Sequence, residues 1–413
     1  MKSKVLALVK GENSKIYMYI ILASMILIGA CLFWVTGNRS ISNSVLDSQY
    51  LFSDYYYHIN YSALKSDIYL HPELPICLPP LAYLLYTFLW RLEPNAYYDD
   101  WNEIKYNGNA PVVFLLTNLI TVLLLVYLVY CYFKDTEIKM GTLIIFSLLI
   151  ICSYPCINTS LQRGNSVFLV AIIVGFAFYL MNSESKTARE IALILIAVAA
   201  GLKTYPALCG LYYISQKRYK ETIRLVIYGV ICCLLPFVFF GGIDGLMGFL
   251  NNVFNYASGS FSRWCTLRGY FGMTLKTIGL DNLNEDKLSI VAVVMEAVFT
   301  VVMILMMIIS KVEWKKVLYL MAIVVLIPSG NWMYTLVYLL VPFLMYLSNN
   351  EDINSKVSKV YCILFAIIFC QPFFFETGLG RVMNWGSVGW IYSLVFFLLL
   401  ICCIEEIIGL RKK

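Results

Sequence analysis

Long apolar runs recur from one end of this chain to the other, and a run of roughly 20 such residues carries an α-helix across the ~30 Å hydrocarbon core of a bilayer. Candidate spans cover 16–36, 111–133, 141–157, 165–181, 223–241, 288–310, 316–328, 332–347, 357–375 and 387–408. No stretch of soluble-type composition is long enough to make a separate domain: charged residues are 14% of the 413, against about 25% in soluble proteins. The expected architecture is all-α, a polytopic transmembrane helical bundle forming a single integral membrane domain over residues 1–413.

One segment resists a simple count of spans. Residues 190–215 are apolar enough for one long helix, but Lys203-Thr204-Tyr205-Pro206 interrupts them. Proline removes a helical donor and disfavours helix at the residue before it. A lysine at mid-bilayer costs roughly 2.5–3.5 kcal/mol on insertion scales. Charge decides between one crossing and two. Lys2, Lys4, Lys10 and Lys15 precede the first span and put the N-terminus in the cytosol. If 190–215 crosses once, the basic loop Lys217, Arg218, Lys220, Arg224 falls outside, against the positive-inside rule. If it makes two short passages or a re-entrant pair, that loop falls in the cytosol, as do Lys311, Lys315, Lys316 and the final Arg411-Lys412-Lys413. The second arrangement predicts about 10–12 passages, both termini cytosolic and Lys203 at an outer tip.

The extracytoplasmic face then comprises a large first loop, 37–110, a second loop, 242–287, and the short turns 158–164, 328–331 and 376–386. In the first loop, Ile76 to Trp90 is apolar but short and contains Pro79-Pro80, which predicts an interfacial or re-entrant helix. The first apolar run, Ile16 to Val35, exceeds a signal-peptide core and lacks a small-residue cleavage site, so it reads as a retained anchor in a bacterial plasma membrane. The net charge of +6 sits in short loops, where it reports orientation and not a nucleic-acid partner. Most of the 13 cysteines lie inside apolar runs as small buried hydrophobes, whereas Cys77 and Cys265 would face outside and could pair.

The unusual polar residues gather on the outer face. Asp54 sits in Phe52-Ser53-Asp54-Tyr55-Tyr56-Tyr57-His58, where the aromatic neighbours suit a membrane interface. Partial desolvation raises a carboxylate's basicity and suits it to general-base work; the plainer reading is a solvated loop acid. Arg163, in Gln162-Arg163-Gly164-Asn165, and Lys203 are cations held near headgroup depth by apolar flanks. Two such cations on one face can bind a phosphate; snorkelling to lipid headgroups is the alternative. For Lys203 the backbone break favours a site, because broken helices in membrane proteins line cavities. Arg263, Trp264, Arg268 and Tyr270 give the second loop the look of an ordered substrate loop. Pro328 to Tyr334 makes a further polar break, and Glu376 and Arg381 flank the last outer turn. His58 and His71, the only histidines, have no partner at metal-ligand spacing, so no metal or other cofactor is expected. Walker, Rossmann and serine-elbow signatures are absent, and the cytosolic loops are too short for a nucleotide-binding domain.

Several of these pieces, taken in order, resemble glycosyltransferase family 87 of the GT-C class of membrane glycosyltransferases. The first is Asp54-Tyr55-Tyr56-Tyr57 followed by Pro79-Pro80-Leu81. Next is Arg163-Gly164-Asn165, opening a span. The most specific is Ala200-Gly201-Leu202-Lys203-Thr204-Tyr205-Pro206, ahead of a basic cluster. Last come Thr266-Leu267-Arg268-Gly269 and Pro328 to Tyr334. Such families take a sugar from a polyprenyl-phosphate carrier on the outer face and pass it to an acceptor. The resemblance implies Asp54 as the base, Arg163, Lys203 and Arg268 on the donor phosphate, and His58, Asn165, Tyr205, Asn331 and Tyr334 on the substrates. Its implied partners are a polyprenyl-phosphate-linked sugar donor, with mannose the first candidate, a lipid or glycan acceptor, and membrane lipids. Two departures bear on the substrate rather than the reaction class. Gly330-Asn331-Trp332-Met333-Tyr334 stands where the family has Ser-Trp-x-His, and Ser66-Asp67-Ile68-Tyr69 where it has Gly-x-x-x-Tyr.

On this reading an acceptor hydroxyl displaces the lipid phosphate at the anomeric carbon, with inversion. Two rivals share part of the pattern. A lipid-linked polysaccharide polymerase or ligase would use the same donors and outer loops. A lipid-linked sugar transporter or flippase would call for ionisable residues deep in the spans and two related halves. Glu296 is the main deep charge, and no internal repeat is evident.

Overall fold

The computed structural model describes residues 15–24, 52–74, 76–92, 98, 100–106, 108–136, 138–156, 163–258, 266–277, 285–328, 331–348, 355–369 and 382–411. Several expectations fall outside these residues: the lysines before Lys15, most of the first span, the Arg263–Trp264 part of the second loop, Cys265 and its pairing with Cys77, and Glu376 and Arg381. Among the described residues every regular element is helical.

α1 (Lys15–Ser24) is followed by two short helices, α2 (Ser53–Tyr61) and α3 (Pro80–Arg91). Then come α4 (Ala110–Phe133), α5 (Met140–Ile151), α6 (Val167–Leu180), α7 (Lys186–Leu202), α8 (Gly210–Ser215) and α9 (Tyr219–Leu234). The chain continues through α10 (Gly242–Ser258), α11 (Leu267–Thr277), α12 (Glu285–Ile309) and α13 (Glu313–Leu326). It ends with α14 (Leu340–Ser348), α15 (Lys356–Phe369) and α16 (Val382–Arg411). Among the described residues four segments are long and apolar enough to cross a bilayer: Ala110–Phe133, Tyr219–Phe239, Ile290–Ile309 and Ile391–Leu410. Their outward side chains, such as Leu115, Val226, Val298 and Leu400, are exposed. α13 is the opposite case. Trp314 through Leu326 are all buried, and from Val317 onward the helix is apolar all round, as burial requires. At 12 residues, or about 18 Å, α3 is too short to span.

The interrupted segment folds as an out-and-back pair. α7 rises for 17 residues, about 25 Å, and stops at Lys203, whose φ of −147° and ψ of 129° are extended. The return runs through a 3₁₀ turn, Tyr205–Cys209, with Pro206 in its first positions, and then α8. α9 rises again alongside α7. Glu190, early in α7, accepts hydrogen bonds from Arg224 and Tyr228, early in α9. At the other end a Cβ on Gly201 would lie 3.1 Å from the Cys232 carbonyl oxygen, so the two helices run parallel. The return is closed by Arg218, which donates to Asn182 Oδ1 (3.2 Å) and the Met181 carbonyl (3.0 Å).

The same end of the bundle collects the basic residues. Lys316 Nζ donates to Gln216 Oε1 at 3.4 Å, and Lys315 pairs with Glu405 at 2.7 Å and Glu406 at 3.4 Å. Trp314 packs on Tyr346 with ring centroids 4.9 Å apart, and Lys15 Nζ donates to the Tyr346 carbonyl at 3.3 Å. Lys203 is at the opposite end. In a cysteine-depleted background, Glu184→Cys and Lys217→Cys are therefore expected to react with a membrane-impermeant thiol reagent from one side, and Thr204→Cys from the other. Labelling of positions 184 and 217 from opposite sides would contradict the out-and-back pair.

Candidate active site

At the end marked by Lys203 the helices enclose a cavity of about 410 Å³. Its wall is drawn from segments far apart in sequence: α2, the turn into α3, the Arg163–Asn165 turn, the Lys203–Tyr205 break, α10, and the Pro328–Tyr334 region.

α2 supplies the richest side. Asp54, Tyr57, His58 and Tyr61 all line the cavity, and their spacing of i, i+3, i+4, i+7 puts them on one helical face. The opposite face, including Tyr55, Tyr56 and Ile59, is buried in the bundle. Phe52, just before α2, holds a left-handed conformation with φ of 61°, which a bulky residue adopts only when its surroundings enforce it. Its ring packs on Phe114 at 4.4 Å, and that anchor sets where α2 begins.

Asp54 is held by the turn before α6. Backbone N–H groups of Asp54 and Tyr55 donate to the Arg163 carbonyl at 2.8 and 3.3 Å. Gly164 makes that approach possible: its φ is +65°, and a Cβ there would lie 2.6 Å from the Tyr55 Cβ. Asn165 Oδ1 accepts from the Val167 N–H at 3.0 Å, which turns Asn165 Nδ2 onto Asp54 Oδ2 at 2.7 Å. Ser53 Oγ at 3.2 Å and Arg163 Nη1 at 3.5 Å approach the other carboxylate oxygen. The Arg163 guanidinium also lies 5.8 Å from the Trp332 ring centroid. The carboxylate is thus fixed in direction while one side remains open to the cavity.

Lys203 faces the same space. It is 6% exposed, its backbone N–H donates to the Ala199 carbonyl at 2.9 Å, and its ammonium makes no hydrogen bond or ion pair among the described residues. Burial pulls its pKa down to about 8, against a partial upward pull from Asp54. His58 is pushed down to about 3, first by burial and then by the charge on Lys203, so its imidazole is neutral near pH 7. His58 Nδ1 and the Tyr83 hydroxyl share a hydrogen bond of 3.0 Å. Tyr205 and Tyr334 complete the polar lining. Among the described residues no three His, Cys, Asp or Glu side chains are grouped to hold a metal ion.

Seven of the nine residues singled out in the sequence therefore share one cavity: Asp54, His58, Arg163, Asn165, Lys203, Tyr205 and Tyr334. Two do not. Arg268 is an ion-pair partner of Glu296, with Nη2–Oε2 of 2.6 Å and Nε–Oε2 of 3.0 Å, and does not line the cavity. A carboxylate on a membrane-spanning helix needs a nearby cation, and Glu296 on α12 claims this one. Asn331 is fully buried and donates through Nδ2 to the Val324 and Val325 carbonyls at 2.8 and 2.7 Å. It caps the last turn of α13, where carbonyls lack helical partners. Sequence reasoning gave no role to Tyr57 or Tyr61, which the helical spacing from Asp54 reaches; Cys77, Thr204 and Trp332 stand in segments it singled out without assigning them to the site, and Val253 carries no sequence signal.

Residues 79–329, more than half of the chain, match glycosyltransferase family 87. The chain belongs to glycosyltransferase family 87. This is a family of GT-C-type membrane glycosyltransferases, and the protein is accordingly a membrane glycosyltransferase. No curated relative and no solved structure matches it. The matched residues include Arg163, Asn165, Lys203, Tyr205 and Arg268; Asp54 and His58 precede them, and Asn331 and Tyr334 follow.

The turn that holds Asp54 can be tested without an assay of the natural reaction. Gly164→Ala forces a side chain into the 2.6 Å approach at positive φ. It is expected to destabilise the purified enzyme by roughly 1–3 kcal/mol, read as a lower unfolding temperature in detergent. Unchanged stability would mean that α2 is not held there.

Proposed function

We propose that this enzyme transfers a monosaccharide from a polyprenyl-phosphate donor to a lipid or glycan acceptor on the extracytoplasmic face, with inversion and with Asp54 as general base. The observation that carries the reading is the presence, in one cavity, of an oriented carboxylate and a buried ammonium that makes no ion pair among the described residues and whose charge Asp54 offsets only in part. A ligand that brings an anion and a hydroxyl uses both groups. Mannose is the sugar to test first.

The acceptor oxygen attacks the anomeric carbon as the bond from that carbon to the phosphate oxygen breaks. The acceptor proton passes to Asp54, and the electron pair of the broken bond leaves on the lipid phosphate, whose charge moves from about −1 towards −2. Lys203 stabilises that growing charge from a fixed, dry position, where a preorganised cation acts most strongly. Arg163, close to the same carboxylate, gives a second cation and steers Asp54. Neutral His58, held by Tyr83, offers a hydrogen bond to a sugar hydroxyl without competing for the proton. With Arg268 engaged by Glu296, two cations serve the phosphate instead of three. The end of the bundle opposite Lys15, Arg218, Lys315 and Lys316 is, by the positive-inside rule, the extracytoplasmic one. Lipid-linked donors suit that face, where nucleotide sugars are not normally supplied.

A purified enzyme should use a polyprenyl-phosphate sugar and leave the nucleotide-linked form of the same sugar untouched; the reverse result would overturn the donor assignment. Asp54→Asn keeps size and polarity but removes the base, and turnover should fall by about two to four powers of ten with the protein still folded. Near-normal turnover would move the base to another residue.

Lys203 sets the pH dependence. Phosphate binds the ammonium form, which is populated below a pKa of about 8 in the free enzyme and lost above it. Donor kcat/KM, which reports the free enzyme, should therefore decline as pH rises through about 8. Lys203→Arg keeps the charge and should remove that alkaline limb even if overall activity drops. A limb that persists in Lys203→Arg would assign it to another group.

A further inference from the structure

α10 carries a surface that the catalytic reading leaves unused. Its seat is tight. A Cβ on Gly245 would lie 1.7 Å from the Phe240 carbonyl oxygen, and one on Gly248 2.3 Å from that of Tyr69, so the helix lies flush against backbone at both points. Asn252 Nδ2 donates to the Ile76 carbonyl at 3.3 Å. Phe249 and Asn252 are buried on this side, and Val253 lines the cavity. The direction of the remaining surface is thereby set. Ile243, Met247, Leu250 and Phe254, at i, i+4, i+7 and i+11, form one stripe and are 79%, 60%, 38% and 71% exposed. Asp244 and Asn251, also exposed, flank the stripe on the side away from Val253. One helix thus presents three faces: one to protein, one apolar and open, one polar and open.

What meets the apolar face follows from where α10 begins. The membrane-spanning segment Tyr219–Phe239 ends at Phe239, and α10 starts at Gly242. The two residues between reach no more than about 10 Å. Gly241 and Gly242, with φ of +77° and +60°, turn the chain within that distance. The last side chains of the span, Leu235, Val238 and Phe239, are exposed apolar groups, as suits a lipid-facing surface. The stripe on α10 begins four residues later.

We propose that α10 is an interfacial helix: its Ile243–Met247–Leu250–Phe254 stripe is embedded among the acyl chains of the adjoining leaflet, with Asp244 and Asn251 at the water. The Val253 wall of the cavity is thereby held at the lipid surface, and a lipid-linked donor reaches Lys203 without leaving the bilayer. The placement of the helix stands alone; the route of the donor rests on the lipid-linked donor proposed above.

The two parts separate experimentally. Benzoylphenylalanine is installed at Met247, Phe254 or Asn251 of the full chain in proteoliposomes of phosphatidylethanolamine and phosphatidylglycerol, and irradiated. Phospholipid adducts at 247 and 254, several-fold above those at 251, are the expected result. Adducts to a second copy or to another protein in place of lipid, or no lipid adduct at all, overturn the placement. The route is read by Phe254→Asp, which should raise KM several-fold for a long-chain polyprenyl-phosphate sugar and leave a short-chain analogue unaffected. Equal changes for both donors overturn the route. Should the nucleotide sugar prove to be the donor, the proposed reaction and the route fail together, while the cross-links still decide the placement.

Discussion

A buried ammonium without a protein counter-charge costs a fold several kcal/mol unless a ligand supplies the missing anion. Lys203 approaches that position, since its ammonium makes no ion pair among the described residues, and the elements around it are arranged to keep it there. Pro206 ends the helical path so that Lys203 falls at the break between α7 and the return. Gly201 lets Leu81 of α3 approach to within 2.7 Å of where a Cβ would be, closing α3 over the end of α7. Asp54 offsets the charge only in part, because Asn165 and Arg163 hold its carboxylate in their own direction. Among the described residues the cavity thus holds a cation that is only partly balanced, and the proposed chemistry builds on that.

Several other charges among the described residues are paired within the bundle. At the far end, Lys315 and Lys316 are paired with Glu405 and Glu313, and Arg218 with Glu221. Glu296 takes Arg268. Lys203 differs in being buried without an ion pair among the described residues. It also weakens the case for a transporter, since the deep carboxylate that such a reading needs is tied up in an ion pair.

Low dielectric surroundings explain both corrections to the expected site. Arg268 lies in the second loop by sequence, but α11 packs on α12, and a charge there is captured by the nearest opposite charge. Asn331 belongs to a polar break between two buried helices, where backbone carbonyls at the end of α13 have no water to turn to. An amide is worth more to those carbonyls than to a substrate. Neither outcome depends on residue type alone, which is why composition and motif could not anticipate them.

The apolar runs and basic clusters of the sequence were enough to establish a helical membrane bundle and the out-and-back reading of 190–215, and to single out Lys203 as a residue to examine. These features are local: hydrophobic length, a proline and charge bias act through a few residues at a time. Asp54 with Arg163, Asn165 and Lys203 could be named from short motifs, but not as one constellation. Only tertiary structure decided that they meet, because the meeting depends on a glycine approach 2.6 Å wide between segments 109 residues apart. It also decided that Tyr57, Tyr61 and Val253 join them, that Arg268 and Asn331 do not, and that α10 turns an apolar stripe outward. Contacts between distant segments follow from packing and from pairing of buried charge, and neither is written in the spacing of residues along the chain.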